Sequence, residues 1–475
     1  MSSVNVSIDD ELVRLPITTI QPTYTNVIQE VWSGVIPSEE IWLSRYHQGE
    51  VHLFLTSPSL KPSNGTGQDS THGRIRVTLD EEDRDRVIFE STSSAGGGLK
   101  LSRNEDGSYT VNSTRLLVPI QTYSLEDGQP HRITSLAVSP DKSQVAIGLL
   151  DGTISLYPVT EPKSAQESPK YLVPETPDVQ DRRQILAESR GKKTAHKSTT
   201  TALQFFPSSR VLLSAGADFT MRIWPAEPIP SPPPSQPAPS PIPARTLTAH
   251  TRPITSVVIN PLDRGRTVLS AGADGTIRFW NVGSGDEVSE RRIRHGGSGV
   301  AGMTLDPEAR RLYCALQDGS FEVYSIELPS NNSSSTDLKP SERIFRSTRS
   351  VGGALTSIAL SSSTGTRLLA TGSQGGIVSL YLVDEDFRHL LSFKRNDATI
   401  EQLSFLPSLG LAISTADGLP WIAAISMGSG GATANVSPYA ELTGGEIDAV
   451  RDVAVAGKDV WTACDDGVIR RYLVE

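Results

Sequence analysis

Four histidines stand just ahead of apolar runs, His131, His196, His250 and His295, and an imidazole so placed can ligate a metal or act as a general base. A metal site asks for ligands at tight spacing, whereas these four fall in separate stretches of the chain. The glycine run from Ala95 to Gly98, followed by Lys100, has the look of a phosphate loop. It lacks the Gly-Lys-Ser/Thr ending and a following helix, so it reads as a hairpin turn. There is no nucleophile elbow, no paired-cysteine site and no convergent set of carboxylates. The expectation is therefore no catalytic residue, no metal and no cofactor.

What positions these histidines is a repeated unit, most complete from Thr246 to Gly285 (TLTAHTRPITSVVINPLDRGRTVLSAGADGTIRFWNVGSG). An apolar run at Ile254–Ile259 meets a polar turn at Asp263–Arg266. A second run from Val268 to Ser270 meets Ala273-Asp274-Gly275, and alternation resumes from Thr276 to Trp280. Short β runs joined by Asp-Gly turns are the strongest local hairpin signal. The pairing of Asp274 with the aromatic Trp280 recurs at intervals of roughly 40 to 70 residues. The matches are Asp151 with Tyr157, Asp218 with Trp224, Asp318 with Tyr324 and Asp466 with Tyr472. Two copies are degraded: Gly375-Gly376 with Tyr381 lacks the aspartate, and Asp417-Gly418 has Ala423 in the aromatic place. These seven units, with a histidine before several first strands, resemble the WD-repeat family, whose period is about 40 to 45 residues per four-stranded blade. The expected fold is all-β, a seven-bladed WD-repeat β-propeller preceded by a small β-rich N-terminal domain.

The resemblance implies a structural role for the histidines. In WD repeats the histidine, a Ser or Thr on the second strand, the turn aspartate and the strand-three tryptophan form a buried hydrogen-bond relay. His250, Ser270, Asp274 and Trp280 fill the four places, as do His196, Ser214, Asp218 and Trp224. Buried polar groups are tolerated when each finds a partner, so such a set specifies blade geometry.

Residues 1–115 do not fit the repeat and read as a β-rich domain. Short strands are expected at Glu30–Ile36, Glu40–Tyr46, Val51–Thr56, Arg74–Leu79, Arg86–Glu90, Gly98–Ser102 and Ser108–Val111. The propeller is assigned to residues 116–475. Its last unit has three strands (Ala449–Val455, Asp459–Ala463 and Val468–Val474), so the spare β run Leu116–Tyr123 is expected to close the ring as its fourth, removing two free edges.

Long insertions at Pro158–Ile185, Pro225–Pro243, Leu328–Ser341 and Met427–Ser437 all follow a third strand and so emerge on one face of a propeller. The proline-rich one reads as a semi-rigid linker rather than an SH3 ligand. The opposite face has short loops and carries the acids Glu126, Asp127, Asp397, Glu446, Asp448 and Asp465, which could meet a basic protein partner.

A net charge of −10 argues against nucleic acid as the main partner; the only locally basic run is Arg190–Lys197. Cys314 and Cys464 lie in separate predicted blades and read as reduced, buried thiols. The N-terminus has early acids and no apolar core of a signal peptide, and no apolar stretch approaches the about 18 residues that span a bilayer. A cytoplasmic and nuclear protein without membrane contact is expected, which leaves sequons such as Asn64-Gly65-Thr66 without a function.

Three blocks are more distinctive than a generic repeat: Asp263–Gly285 with its Asp-Arg-Gly-Arg turn, Phe205–Asp218 (FFPSSRVLLSAGAD), and the C-terminal YAELTGGEIDAV with DDGVIRRYLVE. They resemble the proteasomal ATPase-associated factor family, assembly chaperones of the proteasome regulatory particle. That resemblance implies a non-catalytic chaperone whose propeller binds the C-terminal domain of a proteasomal ATPase subunit, and a monomer until bound. The long proline insertion and the weak fifth and sixth blades depart from the family pattern. The alternative is a WD-repeat adaptor in another complex, a ubiquitin ligase or a ribosome-assembly particle.

Overall fold

Runs rich in Val, Ile and Thr, each ended by a turn that needs a left-handed residue, fold as meanders because glycine enters that conformation at no steric cost. Gly275, at φ 72°, makes the turn of the template unit. The computed structural model describes residues 12–46, 70–92, 99–124, 131–162, 173–179, 183–189, 194–227, 241–288, 292–294, 296–328, 341–361, 366–384, 386–408, 410–428 and 433–474. Among them, seven antiparallel meanders, here blades 1 to 7, begin at Ile133–Val138, Thr200–Phe205, Ile254–Ile259, Val300–Asp306, Leu355–Leu360, Ile400–Phe405 and Val450–Ala456. Each first strand neighbours the next, and Val450–Ala456 returns against Ile133–Val138, so the ring is closed. The molecule is the seven-bladed β-propeller that the repeat predicts. Second strands such as Gln144–Leu149 and Leu368–Ser373 are buried along their whole length, because blades stack face to face and leave a central strand no solvated side.

A device invisible in the repeat pattern joins the blades. Every first strand carries a register shift after its first residue, for instance between Ile133 and Ser135 and between Ile254 and Ser256. Such a bulge re-aims the extra side chain. In blade 1 that residue is Thr134, whose Oγ1 donates to Gly148 O at 3.1 Å in its own blade and to Thr200 O at 2.6 Å in the next. Thr255 does the same with Ala271 O at 3.2 Å and Val300 O at 2.7 Å, and Thr201 and Thr356 repeat it. At the last seam a carboxylate takes over: Asp452 Oδ2 accepts the Leu136 amide at 2.8 Å, and burial pushes this carboxyl up to about 7.

The N-terminal region differs from the expectation in three ways. Residues 24–32 form a helix, Tyr24–Trp32, where a strand at Glu30–Ile36 was expected. Tyr24, Val27, Ile28 and Val31 recur at helical spacing, and all four pack into one core with Ile41, Leu43, Ile75 and Val77 of the sheet formed by Ile17–Ile20, Ser38–Tyr46, Thr71–Leu79 and Val87–Ser91. The expected strand at Val51–Thr56 lies outside the described residues. Secondly, parts of this region extend blades: Leu12–Arg14 pairs in parallel with Arg388–Lys394, the fourth strand of blade 5. Leu101–Arg103, Tyr109–Val111 and Thr114–Leu117 lengthen the sheet of blade 6 to seven strands through parallel pairing with Ala434–Leu442. The expected boundary at residue 115 therefore falls inside a strand.

Thirdly, the closing strand is Gln121–Ser124, paired with Val468–Leu473 in the register Ser124 to Val468 and Gln121 to Arg471. Leu116 and Leu117, expected in the same strand, belong to blade 6. Pro119 has no amide hydrogen for a ladder, and the chain crosses from one blade to the next there. Part of the insertion after the third strand of blade 1 folds back on this strand: Glu175 bonds Ile120 O through its amide at 3.0 Å and accepts the Thr122 amide at 2.8 Å through its carbonyl.

Candidate functional site

The relay residues come together in both complete blades. In blade 3 Trp280 Nε1 donates to Ser270 Oγ at 2.9 Å, Ser270 Oγ lies 2.7 Å from His250 Nε2, and His250 Nδ1 lies 2.9 Å from Asp274 Oδ2. Blade 2 repeats the chain with Trp224 to Ser214 at 2.8 Å, Ser214 to His196 at 2.7 Å and His196 to Asp218 at 3.0 Å. One protonation pattern satisfies every atom: the indole donates to the serine, the serine to Nε2, and Nδ1–H to the carboxylate. Burial holds His250 below its ordinary value despite the upward pull of Asp274, which favours this neutral tautomer. Burial alone would raise Asp274. The Thr276 hydroxyl, the Thr251 amide and His250 outweigh it and bring the carboxyl down to about 2. Asp218 is likewise held well below the usual range, by His196, the Lys197 amide and Thr220 against the effect of burial.

Serine, histidine and aspartate in this order have the connectivity of a nucleophilic triad. No substrate reaches them, since the Ser270 and Ser214 side chains are wholly buried and each already receives an indole N–H. The second strand also passes too close for any side chain at Gly216 or Gly272: a Cβ there would lie 2.7 Å from His196 Nδ1 or 2.9 Å from His250 Nδ1. The repeated Ser-Ala-Gly-Ala-Asp thus belongs to one packed device. Asp274→Ala is expected to cost about 1–3 kcal/mol by orphaning His250 and the turn amides. The folded-state value near 2 lies below the unfolded carboxylate, so this stabilisation is complete above about pH 4 and is lost as pH falls from there toward 2. Urea denaturation at pH 7 and at pH 3 checks both points: the gap between variant and wild type should narrow at pH 3.

The degraded blades use substitutes. In blade 6 Asn396 replaces the histidine and donates from Nδ2 to Asp417 Oδ2. His295, the expected histidine of blade 4, lies outside the described residues. Both cysteines are free and buried, with thiols pushed up by burial.

The acids of the short-looped face fare unequally. Glu446 and Asp448, in the loop before blade 7, are exposed. Asp397 is 88% exposed at its side chain and sits 2.7 Å from Lys394 Nζ. Asp465 is not the free rim acid expected. Arg451 grips it through Nε at 3.1 Å and Nη2 at 2.8 Å, and reaches Glu401 through Nη1 at 3.0 Å. Arg451 and Glu401 occupy the bulge positions that hold threonines in blades 1, 2, 3 and 5, so an ion pair replaces the hydroxyl link between blades 6 and 7. Burial pushes the Glu401 carboxyl up even with Arg451 beside it. Glu126 and Asp127 lie outside the described residues.

One buried constellation had no signal in the sequence. Arg395, before blade 6, forms a two-pronged pair with Glu441 on its fourth strand, with Nη1 to Oε2 at 2.9 Å and Nη2 to Oε1. Its Nε donates to Pro16 O at 3.0 Å, the Thr18 amide donates to Glu441 at 3.1 Å, and the guanidinium lies 4.5 Å above the Trp421 ring. Among the described residues no cluster of three or more His, Cys, Asp or Glu could hold a metal, and no helix is long and apolar enough to cross a membrane.

The family model for the WD domain, G-beta repeat, matches residues 118–157, 188–225 and 242–281, each of which holds the first three strands of blade 1, 2 or 3, and the chain carries WD40 repeats. It is 23% identical over 203 residues to Protein HIR1 of Kluyveromyces lactis, across 42% of this chain and 22% of that protein. It is 26% identical over 208 residues to Protein hir1 of Schizosaccharomyces pombe, across 42% of this chain and 21% of that one. A third relative, p21-activated protein kinase-interacting protein 1-like of Danio rerio, is 22% identical over 197 residues, 42% of each chain. The chain thus spans about a fifth of the two yeast proteins and less than half of the fish protein. These are distant WD-repeat relatives, and neither they nor the repeat model is specific to proteasome assembly.

Proposed function

We propose that this WD-repeat scaffold acts without catalysis, its short-looped face binding the C-terminal domain of one proteasomal ATPase subunit and holding it while the regulatory particle assembles in cytoplasm and nucleus. The observation that carries the reading is the pair of exposed acids Glu446 and Asp448 on a face without long insertions. The resemblance of Asp263–Gly285, Phe205–Asp218 and the C-terminal blocks to the proteasomal ATPase-associated factors supplies the partner. Complementary charge mainly raises association rate and specificity, so binding should weaken as salt rises. A second reading, an adaptor in another complex, is favoured by the names of the matched relatives, one of which is called a kinase-interacting protein.

The test is binding of purified ATPase C-terminal domains to the immobilised chain at two salt concentrations. Glu446→Lys with Asp448→Lys is expected to slow association roughly three- to tenfold while leaving the fold intact. Asp465 is left alone in this variant because it holds Arg451. Deleting residues 229–239, between the third and fourth strands of blade 2, should change nothing. Binding of no ATPase domain to the wild type would end the specific assignment and leave the adaptor reading.

A further inference from the structure

On the short-looped face the propeller is overhung by the N-terminal sheet. One side of that sheet packs on the helix Tyr24–Trp32. Residues from its other side, Trp42, Ser44, Tyr46 and His72, face the turns Gly418–Pro420 of blade 6 and Gly444–Ile447 before blade 7 across an open groove of about 910 Å³. Clefts of this size between two packed units are where proteins commonly take ligands.

The lining has a definite chemistry. Trp42 and Ile447 are large apolar side chains left 43% and 44% exposed, and Pro22, Pro420 and Leu442 continue the apolar surface. The polar groups inside are engaged: Ser44 Oγ lies 2.9 Å from His72 Nδ1, and Glu441 is paired with Arg395. Arg74 at the sheet end lies 3.5 Å from Glu40, which also pairs with Arg76 at 3.2 Å, so that end carries the cations and the propeller lip the acids. The carboxylates flanking Ile447, Glu446 and Asp448, are exposed and make no ion pair with a described residue. The groove is therefore an apolar slot with uncompensated negative charge at its propeller lip.

We infer that this groove binds an extended segment of a partner protein in which a bulky apolar side chain is flanked by lysine or arginine. The apolar side chain would enter between Trp42 and Ile447, desolvating both, while the flanking cations meet Glu446 and Asp448. Anchors of this kind, a buried aromatic contact ringed by charge, concentrate binding energy in few residues. The inference deepens the functional reading above by naming what on that face is recognised, and it places the N-terminal sheet in the binding surface.

The experiment uses the full chain and fluorescein-labelled nonapeptides followed by polarisation. The probe has a central phenylalanine, two lysines on each side and serine elsewhere. One control replaces the lysines with glutamate and the other replaces the phenylalanine with serine. The probe is expected to bind at least tenfold more tightly than either control. Trp42→Ser and Ile447→Ser should each weaken it at least fivefold, whereas Ile344→Ser, an equally exposed apolar residue on blade 4, should not. Thermal melts of the three variants establish that each is folded. No saturable binding of the probe, equal binding of the glutamate control, or indifference to both groove variants overturns the proposal. Titrating the same variants with ATPase C-terminal domains separates the two readings. Domain binding that ignores both groove substitutions, with no probe binding, sinks the groove alone. Groove-dependent probe binding without any domain binding sinks only the ATPase assignment.

Discussion

Arg395→Met is expected to cost about 3–5 kcal/mol of folding stability, the largest effect of any single substitution considered for this chain. The side chains of Arg395 and Glu441 are 5% and 6% exposed. Removing the guanidinium leaves a carboxylate in the interior with only the Thr18 amide against it, and also strips the Pro16 carbonyl and the Trp421 ring of their partner. Because two paired charges in an interior barely offset their own desolvation, replacing both should be far milder. The double variant Arg395→Met with Glu441→Leu is expected to lie within about 1–2 kcal/mol of wild type. Equilibrium urea denaturation of the three proteins decides it. A double variant as unstable as the single one would mean that the pair, rather than the orphaned charge, is what the fold depends on.

The second large effect concerns ring closure. Two truncations, removing residues 1–118 and 1–124, both lack the N-terminal sheet and the additions to blades 5 and 6, and they differ in the strand Gln121–Ser124. That strand brings Tyr123, 2% exposed and set 5.8 Å from the Trp461 ring and 6.1 Å from Tyr157. Losing one buried aromatic costs about 3–5 kcal/mol, and the longer deletion additionally opens the outer edge of blade 7. The truncation beginning at Pro119 is expected to melt cooperatively below wild type, and the one beginning at residue 125 to melt at least roughly 10 °C lower again or without cooperativity. Equal melting temperatures would show that closure does not depend on this strand.

The sequence by itself determined what is built within one repeat. The spacing from turn aspartate to aromatic counted the blades, even where Gly375-Gly376 or Ala423 spoiled the pattern, because a blade's strand lengths and turn geometry are local requirements that each copy must meet with nearby residues. The relay was legible for the same reason: His250, Ser270, Asp274 and Trp280 fall within one unit, so spacing alone places them together. Tertiary structure decided whatever joins one unit to another. Thr134 was an ordinary strand residue until the bulge aimed it at Thr200 O of the next blade. Asp465 counted as a surface acid until folding brought Arg451 to it. Leu116 to Tyr123 looked like one strand, yet two blade edges compete for it and Pro119 divides it between them. The Arg395–Glu441 pair, the parallel seating of Leu12–Arg14 on blade 5 and the groove beneath the N-terminal sheet depend on segments far apart in the chain. Periodicity carries no register between such segments, since what sets it is the packing of whole sheets against one another.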